Sequence, residues 1–451
     1  MDTIGQSLFP EAYKKEGGNG ILPWQEIRRM VSNGQISATP EVPESQIQPS
    51  SIDLRLGPVA YRVQASFLRG RATTLQTKVN ELVDSTIDLT QPDPPLLEPS
   101  AVYFIPLLER LNLPDDIQGV ANPKSTTGRL DVFTRLITEH GDQFDRVPKG
   151  YQGLLYAEVS SRTFPIRVKA GMKLNQLRFV RGESLDPIRN GDLRQLAKKQ
   201  NLVYDPLGRP TMERVGEGVE LTVDLEGNDR SSIVAYKARH SPRAIDLDKI
   251  NHYDPFDFWE EIPRPRRGHI ILEKGGFYLL ASKERVSIPL EYAGEMVAHD
   301  PSMGEFRVHY AGFFDPGFGY GSKKGEISGT KAVLEVRAYE MPILLEDNDV
   351  VGRLHYYPMA GTPDKVYGTA IGSSYQEQGL ALSKQFKRDE QHLSSPIVGV
   401  ADELHSGRPT FYGGAEPIER GEVAGDEDDD SAPNLSFSEG RGGRLISAKN
   451  T

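Results

Sequence analysis

The sequence predicts a mainly β protein built from two similar β-barrel or jelly-roll domains with a few short helices. One observation behind this prediction is a series of short segments rich in β-branched and aromatic residues and bounded by Gly, Pro or Asp, such as AVYFIPLL, GLLYAEVS and LNQLRFV. Such segments are typical of the strands of sandwiches and barrels. The composition agrees, because 44 Gly and 32 Pro among 451 residues suit a loop-rich β protein better than a helical bundle.

An internal repeat is the observation that predicts two domains. The segment LEPSAVYFIPLLERLNLPDDIQGV begins at Leu97, and LEKGGFYLLASKERVSIPLEYAGEM begins at Leu272. A shift of 175 positions aligns them without a gap and pairs Tyr103 with Tyr278. Further on, YAEV in the first copy has its counterpart in VLEV in the second. This agreement indicates a tandem duplication.

Five regions are expected along the chain, and one helix is predicted near its beginning. The helix falls in LPWQEIRRMVSNG, where Pro23 suits a first turn and Gly34 can end the helix. Ile27, Met30 and Val31 lie on one face of it. The regions are an N-terminal extension (1–20), a first domain (21–182), a polar, Pro-rich connecting insertion (183–267), a second domain (268–386) and an acidic tail (387–451).

The negative charge of the chain lies mostly in its tail. The formal net charge is −11, and residues 389–451 hold 13 acidic and 5 basic residues, a net of −8, which leaves the body near −3. We expect the tail to be solvated and disordered, and we expect no nucleic-acid partner, since no region is strongly basic. Nothing approaches the roughly 18 apolar residues of a membrane span, and the N-terminus does not resemble a secretory signal. The expected location is therefore the cytoplasm.

The chain contains no cysteine, which removes several classes of chemistry. Disulfides, thiolate nucleophiles and the Cys-ligated zinc of the zinc-dependent deaminases are excluded. The nine histidines are scattered and no H-E-x-x-H is present, so no protein-ligated metal is predicted.

The segment NPKSTTGRLDVF is the most conspicuous polar cluster of the first copy. Lys124 and Arg129 supply cationic donors, and the hydroxyl groups of Ser125 and Thr126 can cap a helix or bind an oxyanion. Gly128 lets backbone amides approach a ligand closely. From these residues alone, an anion site and a capped turn remain equally open.

Four motifs occur in an order that resembles the dCTP deaminase/dUTPase superfamily, and the deaminase branch more closely. They are QIQPSSIDLRLG (46–57), PKSTTGRL (123–130), FDRVPKGYQGLLYAEV (144–159) and SYQEQGLALS (374–383). FFDPGFGYG and VLEV give a second version of the third motif in the second copy. The resemblance spans residues 21–384 and is to a two-domain form of the deaminase, with a dUTPase-like fold.

The resemblance implies a role for each matching residue. Glu158 falls where the family's general base activates water for attack on C4 of cytosine, and Ser125 and Arg129 match residues that position water and base. The remaining matches are expected to bind the nucleotide, with the last three closing a lid over the triphosphate: Lys124, Thr126, Asp145, Tyr367, Tyr375 and Gln378. The family uses no zinc, and magnesium is expected on the phosphates.

Two arrangements of the site remain open, because family members build each site between neighbouring domains of a three-fold assembly. The first copy can supply the whole site with Glu158, the second copy then acting as scaffold and lid. Alternatively, Ser125 and Arg129 act with Glu335 of the second copy. The local context of Glu158 favours the first arrangement. In the second copy, AHDPSMGEF has lost the lysine, serine and arginine of the first-copy cluster.

The expected reaction is hydrolytic deamination of dCTP to dUTP and ammonia, which supplies a precursor of dTTP. One alternative is a dUTP pyrophosphatase, or a bifunctional enzyme, in which Asp145 or Asp315 would activate water. Another is a nucleotide-binding module without catalysis. The resemblance also implies a homotrimer, or a multiple of it, and dTTP as an inhibitor.

Overall fold

The computed structural model of the protein describes residues 17–68, 74–227, 232–240, 243–298, 306–308, 312–320, 329–367 and 379–388. Most of the expected N-terminal extension and the acidic tail from residue 389 onward lie outside the described residues. No helix among the residues that are described is long and apolar enough to cross a membrane.

The helix predicted near the N-terminus is confirmed. Helix α1 spans Trp24–Ser32, directly after Pro23, and Ile27 and Met30 are buried beneath it. Gly34 follows the helix with φ +73°, a conformation that glycine adopts without a steric penalty. The other described α-helices are Leu75–Leu82 (α2), Ser125–Gly128 (α3) and Asn190–Gln200 (α4).

Two antiparallel sheets make up most of the first copy. Its strands are Gly20–Ile21 (β1), Ile36–Ala38 (β2), Ile52–Arg55 (β3), Val59–Val63 (β4), Val83–Asp88 (β5), Leu96–Leu97 (β6), Val102–Asn112 (β7), Ile117–Pro123 (β8), Val132–Thr138 (β9), Arg146–Val147 (β10), Gln152–Ser161 (β11), Ile166–Arg167 (β12) and Lys173–Arg181 (β13). One sheet has the order β5-β4-β7-β11-β9, with β2 on β7. The other has the order β1-β13-β8-β10, with β3 on β13.

The second copy repeats this arrangement. The remaining strands are Val203–Tyr204 (β14), Val215–Gly216 (β15), Gly218–Thr222 (β16), Ile233–Ala238 (β17), Ile245–Asp246 (β18), Trp259–Pro263 (β19), His269–Leu272 (β20), Phe277–Val286 (β21), Tyr292–Ala298 (β22), Phe306–Val308 (β23), Phe313–Phe314 (β24), Thr330–Ala338 (β25), Ile343–Glu346 (β26) and Val350–Pro358 (β27). Its sheets have the orders β19-β17-β21-β25-β23, with β14 on β21, and β15-β16-β27-β22-β24. The prediction of a mainly β fold is confirmed.

The segment expected to connect the copies contributes strands to the second one. Strands β14, β16 and β17 pair with β21 or β27, and only β18 pairs with β12 of the first copy. These strands are short and separated by polar turns, so their sequence resembles a linker. Their apolar residues, among them Val219, Leu221 and Val234, are nevertheless buried in the core of the second copy.

The repeat extends to the strand register. Glu158 on β11 lies opposite Phe104 of β7, and Glu335 on β25 lies opposite Leu279 of β21. Phe104 and Leu279 are themselves 175 positions apart. Glu158 and Glu335 therefore occupy the same position in the two copies, although they are 177 positions apart in the chain.

The two copies pack directly against each other. Ile21, Val120 and Val180 of the first copy form an apolar cluster with residues of β22, β27 and the chain just beyond β27. Beside this cluster, the fully buried guanidinium group of Arg178 donates hydrogen bonds to the carbonyl oxygens of Gly294 (2.9 Å) and Phe314 (3.0 Å). Because an unpaired buried guanidinium is costly, these bonds specify how β13 meets the second copy.

Candidate active site

A cleft of about 630 Å³ lies between the two copies. Its first-copy wall is formed by residues 123–127, 129 and 130, at and after the end of β8, and by residues 169–174 and 176 around the start of β13. The second-copy wall includes Asp315, Phe318 and Glu335, and Tyr367, Lys384 and Gln385 complete the lining.

Residues 124–130, which we name the site loop, form a single helical turn at the edge of this cleft. The amides of Thr127 and Gly128 both donate to the carbonyl oxygen of Lys124, at 2.8 and 3.0 Å. No side chain caps the turn. The hydroxyl groups of Ser125 and Thr126 therefore do not serve as the N-cap, and both residues line the cleft. The sequence left two interpretations open, an anion site and a capped turn, and this arrangement favours the binding site.

Glu335 lies against the site loop from the opposite wall. A Cβ atom at Gly128 would lie 2.7 Å from the carboxyl carbon of Glu335, so only glycine allows this approach. Burial raises the pKa of the Glu335 carboxyl well above its ordinary value, and the negative charge of Asp131 raises it further, whereas the Arg129 guanidinium lowers it. A carboxyl group with opposing influences of this kind can accept and return a proton during a reaction.

Glu158 lies at the equivalent strand position but in different surroundings. Its carboxylate Oε1 accepts hydrogen bonds from Nη2 (2.7 Å) and Nε (3.1 Å) of Arg135 on the neighbouring strand. Arg135 also donates to Ser66 and lies over the ring of Phe144, all within the first copy. Glu158 does not line the cleft. The structure thus differs from the favoured arrangement, since the loop of one copy meets the strand of the other.

The two candidate aspartates are also separated. Asp315 lines the cleft, accepts a hydrogen bond from Ser50 of the QPSS motif, and has a pKa that burial raises. Asp145 lies in the turn before β10, where its carboxylate accepts the amide of Leu136 (2.8 Å), and burial raises its pKa to about 7. Asp145 is outside the cleft lining, and its contact to Leu136 holds the turn.

Four lysines line the cleft: Lys124, Lys169, Lys173 and Lys384. Lys124 forms an ion pair with Asp53, and Lys169 forms one with Asp248. Burial and the positive charge of Lys124 both lower the pKa of Lys384, which a bound anion would reverse. The sequence interpretation did not name Lys169, Lys173 or Lys384 as ligands. Two of them were nevertheless visible beside motifs, Lys173 within GMKLNQLRF and Lys384 directly after SYQEQGLALS.

The described end of the lid motif, residues 379–383, contacts the site loop. Tyr367 lines the cleft, with its ring 5.6 Å from that of Phe318, whereas Tyr375 and Gln378 lie outside the described residues. After residue 379 the chain returns, and Ser383 Oγ donates to the carbonyl oxygen of Thr126 (2.8 Å). Arg129 Nη1 donates to the carbonyl oxygen of Ala381 (3.0 Å). These bonds tie the end of the lid to the residues expected to bind substrate.

The described part of the chain offers no group of three or more His, Asp or Glu residues that could hold a metal ion. Within the cleft, Asp53 and Asp248 are each paired with a lysine.

Both parts of the chain match one family. Residues 18–183 match the family model of the 2′-deoxycytidine 5′-triphosphate deaminase N-terminal domain, and residues 189–386 match that of the C-terminal domain. The chain belongs to the 2′-deoxycytidine 5′-triphosphate deaminase family. The family prediction made from the four motifs is confirmed.

Several known deaminases are similar to the chain. A solved structure of 2′-deoxycytidine 5′-triphosphate deaminase from Agrobacterium tumefaciens is 42% identical, with a TM-score of 0.70, and the match covers 76% of this chain and 99% of that one. The dCTP deaminase of Natronomonas pharaonis is 30% identical over 162 residues, 36% of this chain and 80% of that protein. A dUMP-forming dCTP deaminase of Mycolicibacterium vanbaalenii is 31% identical over 165 residues, 36% of this chain and 80% of that protein.

Proposed function

We propose that this deaminase family member hydrolyses dCTP to dUTP and ammonia in the cleft between its two copies. The observation that carries this proposal is the meeting of the site loop with Glu335, because it brings a proton-accepting carboxyl group against the loop that carries Ser125 and Arg129. Lys124, Lys173 and Lys384 in the same cleft are cationic groups that a triphosphate can contact.

In this proposal Glu335 is the general base. Its carboxylate takes a proton from a water molecule as the water oxygen bonds to C4 of cytosine. The carboxyl group then gives this proton to N3. Glu335 next takes the proton of the new C4 hydroxyl group and passes it to the amine, and the C4–N bond breaks to release ammonia as the C4 carbonyl forms. Ser125 and Arg129 orient the water and the base, and the positive charge of Arg129 favours the ionised form of Glu335 that starts the cycle.

Binding of the substrate is assigned to the remaining polar groups of the cleft. Lys124, Thr126 and Lys384 are proposed to contact the triphosphate, and Tyr367, with Tyr375 and Gln378 of the lid motif, to cover it. Magnesium is proposed to bind with the nucleotide, held mainly by phosphate oxygens. We also propose a cytoplasmic homotrimer, or a multiple of it, with dTTP as a competing ligand. Light scattering and dTTP inhibition assays test these assignments.

Replacing each of the two equivalent glutamates by glutamine, one at a time, tests the assignment of the base. Glu335→Gln is expected to lower ammonia release by about 10²–10⁴-fold, while calorimetry still detects dCTP binding. Glu158→Gln is the matched variant, because it changes the same strand position in the other copy. It is expected to retain most of the activity after correction for any unfolded fraction. A Glu158→Gln protein that is folded and inactive, beside an active Glu335→Gln protein, would contradict the proposal.

A second reaction is favoured by Asp315. This carboxyl group, whose side chain is 14% exposed, lies in the same cleft and accepts a hydrogen bond from Ser50, and the relatives include dUMP-forming deaminases. If Asp315 directs a second water molecule to the α-phosphorus of the dUTP so formed, the bond from this phosphorus to the bridging oxygen breaks, and the products from dCTP become dUMP, pyrophosphate and ammonia. Separation of the products formed from dCTP distinguishes the two reactions. Binding of dCTP without any ammonia would instead indicate a nucleotide-binding module.

A further inference from the structure

A buried ion pair joins the end of the site loop to strand β25 of the other copy. Arg337 Nη2 contacts the carboxylate of Asp131, and the two side chains are 12% and 0% exposed. Thr163 completes the group, because its hydroxyl donates to Asp131 (2.6 Å) and accepts from Arg337 Nη2 (2.8 Å). We name these three residues the clamp.

Each end of the clamp is fixed within its own copy. The Asp131 amide donates to the carbonyl oxygen of Gly128 (2.8 Å), and the Asp131 carbonyl oxygen accepts the amide of Arg162 (3.0 Å). On the other side, Arg337 Nη1 donates to the carbonyl oxygen of Gly275. The clamp therefore links two rigid elements, so that a movement of one requires a movement of the other.

The clamp lies next to the reacting groups. Asp131 comes two residues after Arg129, and Arg337 comes two residues after Glu335 on β25, so both strand side chains point to the same face of the sheet. The loop thus meets the strand at two points, Gly128 against Glu335 and Asp131 against Arg337. Two such contacts fix both the distance and the orientation of the loop relative to the strand.

The hydrogen bonding of this ion pair is incomplete, so the pair is not well suited to stabilising the fold. Asp131 Oδ1 and Arg337 Nε are buried and have no hydrogen-bond partner among the described residues. Removing two charges from water is costly, and apolar replacements of buried pairs are often neutral or stabilising. Incomplete satisfaction of both partners adds to this cost. The position of the pair beside the site then explains its presence better than a contribution to folding does.

We propose that Asp131 and Arg337 are positioning residues that hold the site loop against β25 and thereby set the approach of Ser125 and Arg129 to the Glu335 carboxyl. This inference rests on the proposed deamination. Electrostatics connect the same groups. Burial raises the pKa of the Glu335 carboxyl, and the negative charge of Asp131 raises it further. Burial also raises the pKa of Asp131, which the positive charges of Arg337 and Arg162 lower.

The test compares single and double variants in the full chain. Asp131→Asn removes one charge and keeps the backbone, because asparagine tolerates the φ of +57° at this position. Arg337→Met removes the other charge. For each variant, kcat and KM for dCTP are measured by ammonia release, and Tm by thermal unfolding. We expect kcat to fall by about 10–100-fold, as for misplacement of reacting groups by about 1 Å, with KM changed by less than about 3-fold.

A matched control lies on the same strand. Lys331 forms a buried ion pair with Asp224 inside the second copy, with exposures of 12% and 6%, and neither residue lines the cleft. Lys331→Met is expected to lower Tm by an amount similar to that for Arg337→Met and to leave kcat unchanged. Arg337→Lys, which keeps the charge, is expected to recover part of the lost kcat.

The double variant Asp131→Asn/Arg337→Met separates positioning from folding. It leaves no unpaired charge, so we expect its Tm to return toward that of the wild type while its kcat stays low. Recovery of kcat together with Tm, unchanged kcat in folded single variants, or failure of all three variants to fold would each overturn the inference. Absence of ammonia release by the wild-type protein would instead overturn the proposed function, because the same assay measures it first.

Discussion

Gly128 is the residue through which the backbone of the site loop reaches the Glu335 carboxyl. A Cβ atom there would lie 2.7 Å from the carboxyl carbon, which is closer than non-bonded atoms approach, so one of the two groups must shift. We therefore expect Gly128→Ala to lower kcat for ammonia release by about 10²-fold, while its far-ultraviolet circular dichroism remains that of the wild type.

Gly191 provides the control for this substitution. It lies in helix α4, and a Cβ atom there would have no neighbour within 4 Å apart from its adjoining residues and the backbone of the helix itself. Gly191→Ala is expected to leave kcat unchanged and to raise Tm slightly, since alanine favours the helix. If Gly128→Ala retained full activity, the close approach of loop and carboxyl would not matter for catalysis.

Asp145 gives a prediction about stability and pH. Its folded-state pKa of about 7 is above the value of about 3.8 expected in the unfolded chain. Between these two pH values the folded chain keeps a proton that the unfolded chain has released. The contribution of the Asp145 carboxyl group to the free energy of unfolding is therefore complete below about pH 4, and it is lost as the pH rises through 7. Asp145→Asn keeps an oxygen that can accept the Leu136 amide, and asparagine tolerates the φ of +60°.

Urea unfolding at pH 5 and pH 8 measures this effect. Relative to the wild type, Asp145→Asn is expected to be less stable at pH 5 than it is at pH 8. Asp142→Asn, at an exposed residue three positions earlier, is the control. A stability difference for Asp145→Asn that is the same at both pH values would contradict the assignment of a raised pKa to this carboxyl group.

At the scale of elements, the sequence predicted the strands better than their partners. The spacing of apolar residues and the turn residues that bound a segment are local properties. The long strands β7, β11, β21 and β25 and helix α1 could therefore be recognised from the sequence alone. The repeat also indicated that Glu158 and Glu335 are equivalent. It could not indicate which of them meets the site loop, because that depends on how the sheets of the two copies pack, as the buried Arg178 shows.

Helix α2 illustrates a further limit. It carries few apolar residues, but Leu75 and Val79 are buried against Phe104, Ile137 and Tyr156 of the first copy. The Thr74 hydroxyl caps it by accepting the amide of Thr77 (3.1 Å). A threonine cap and two apolar residues four positions apart are present in many loops as well. Only the tertiary contact distinguishes this helix from them.

For the whole molecule, the described part of each chain brings one site loop against one strand glutamate, Glu335. Both copies retain the strand glutamate, but Glu158 is paired with Arg135. The second-copy counterpart of the site loop lacks the serine and the arginine in sequence. We therefore expect one dCTP to bind per chain. Calorimetric titration of Glu335→Gln, in which turnover is removed, measures this stoichiometry, and a value near two would contradict it.

The direct packing of the two copies affects how the cleft can change. When identical subunits share a site, one substitution alters every subunit and appears in every site. In this chain the loop and its facing carboxyl group are encoded in separate halves. A change in the first half therefore leaves the Glu335 wall untouched, and a change near Glu335 leaves the site loop untouched. The cleft can be altered, by mutation or by design, one wall at a time.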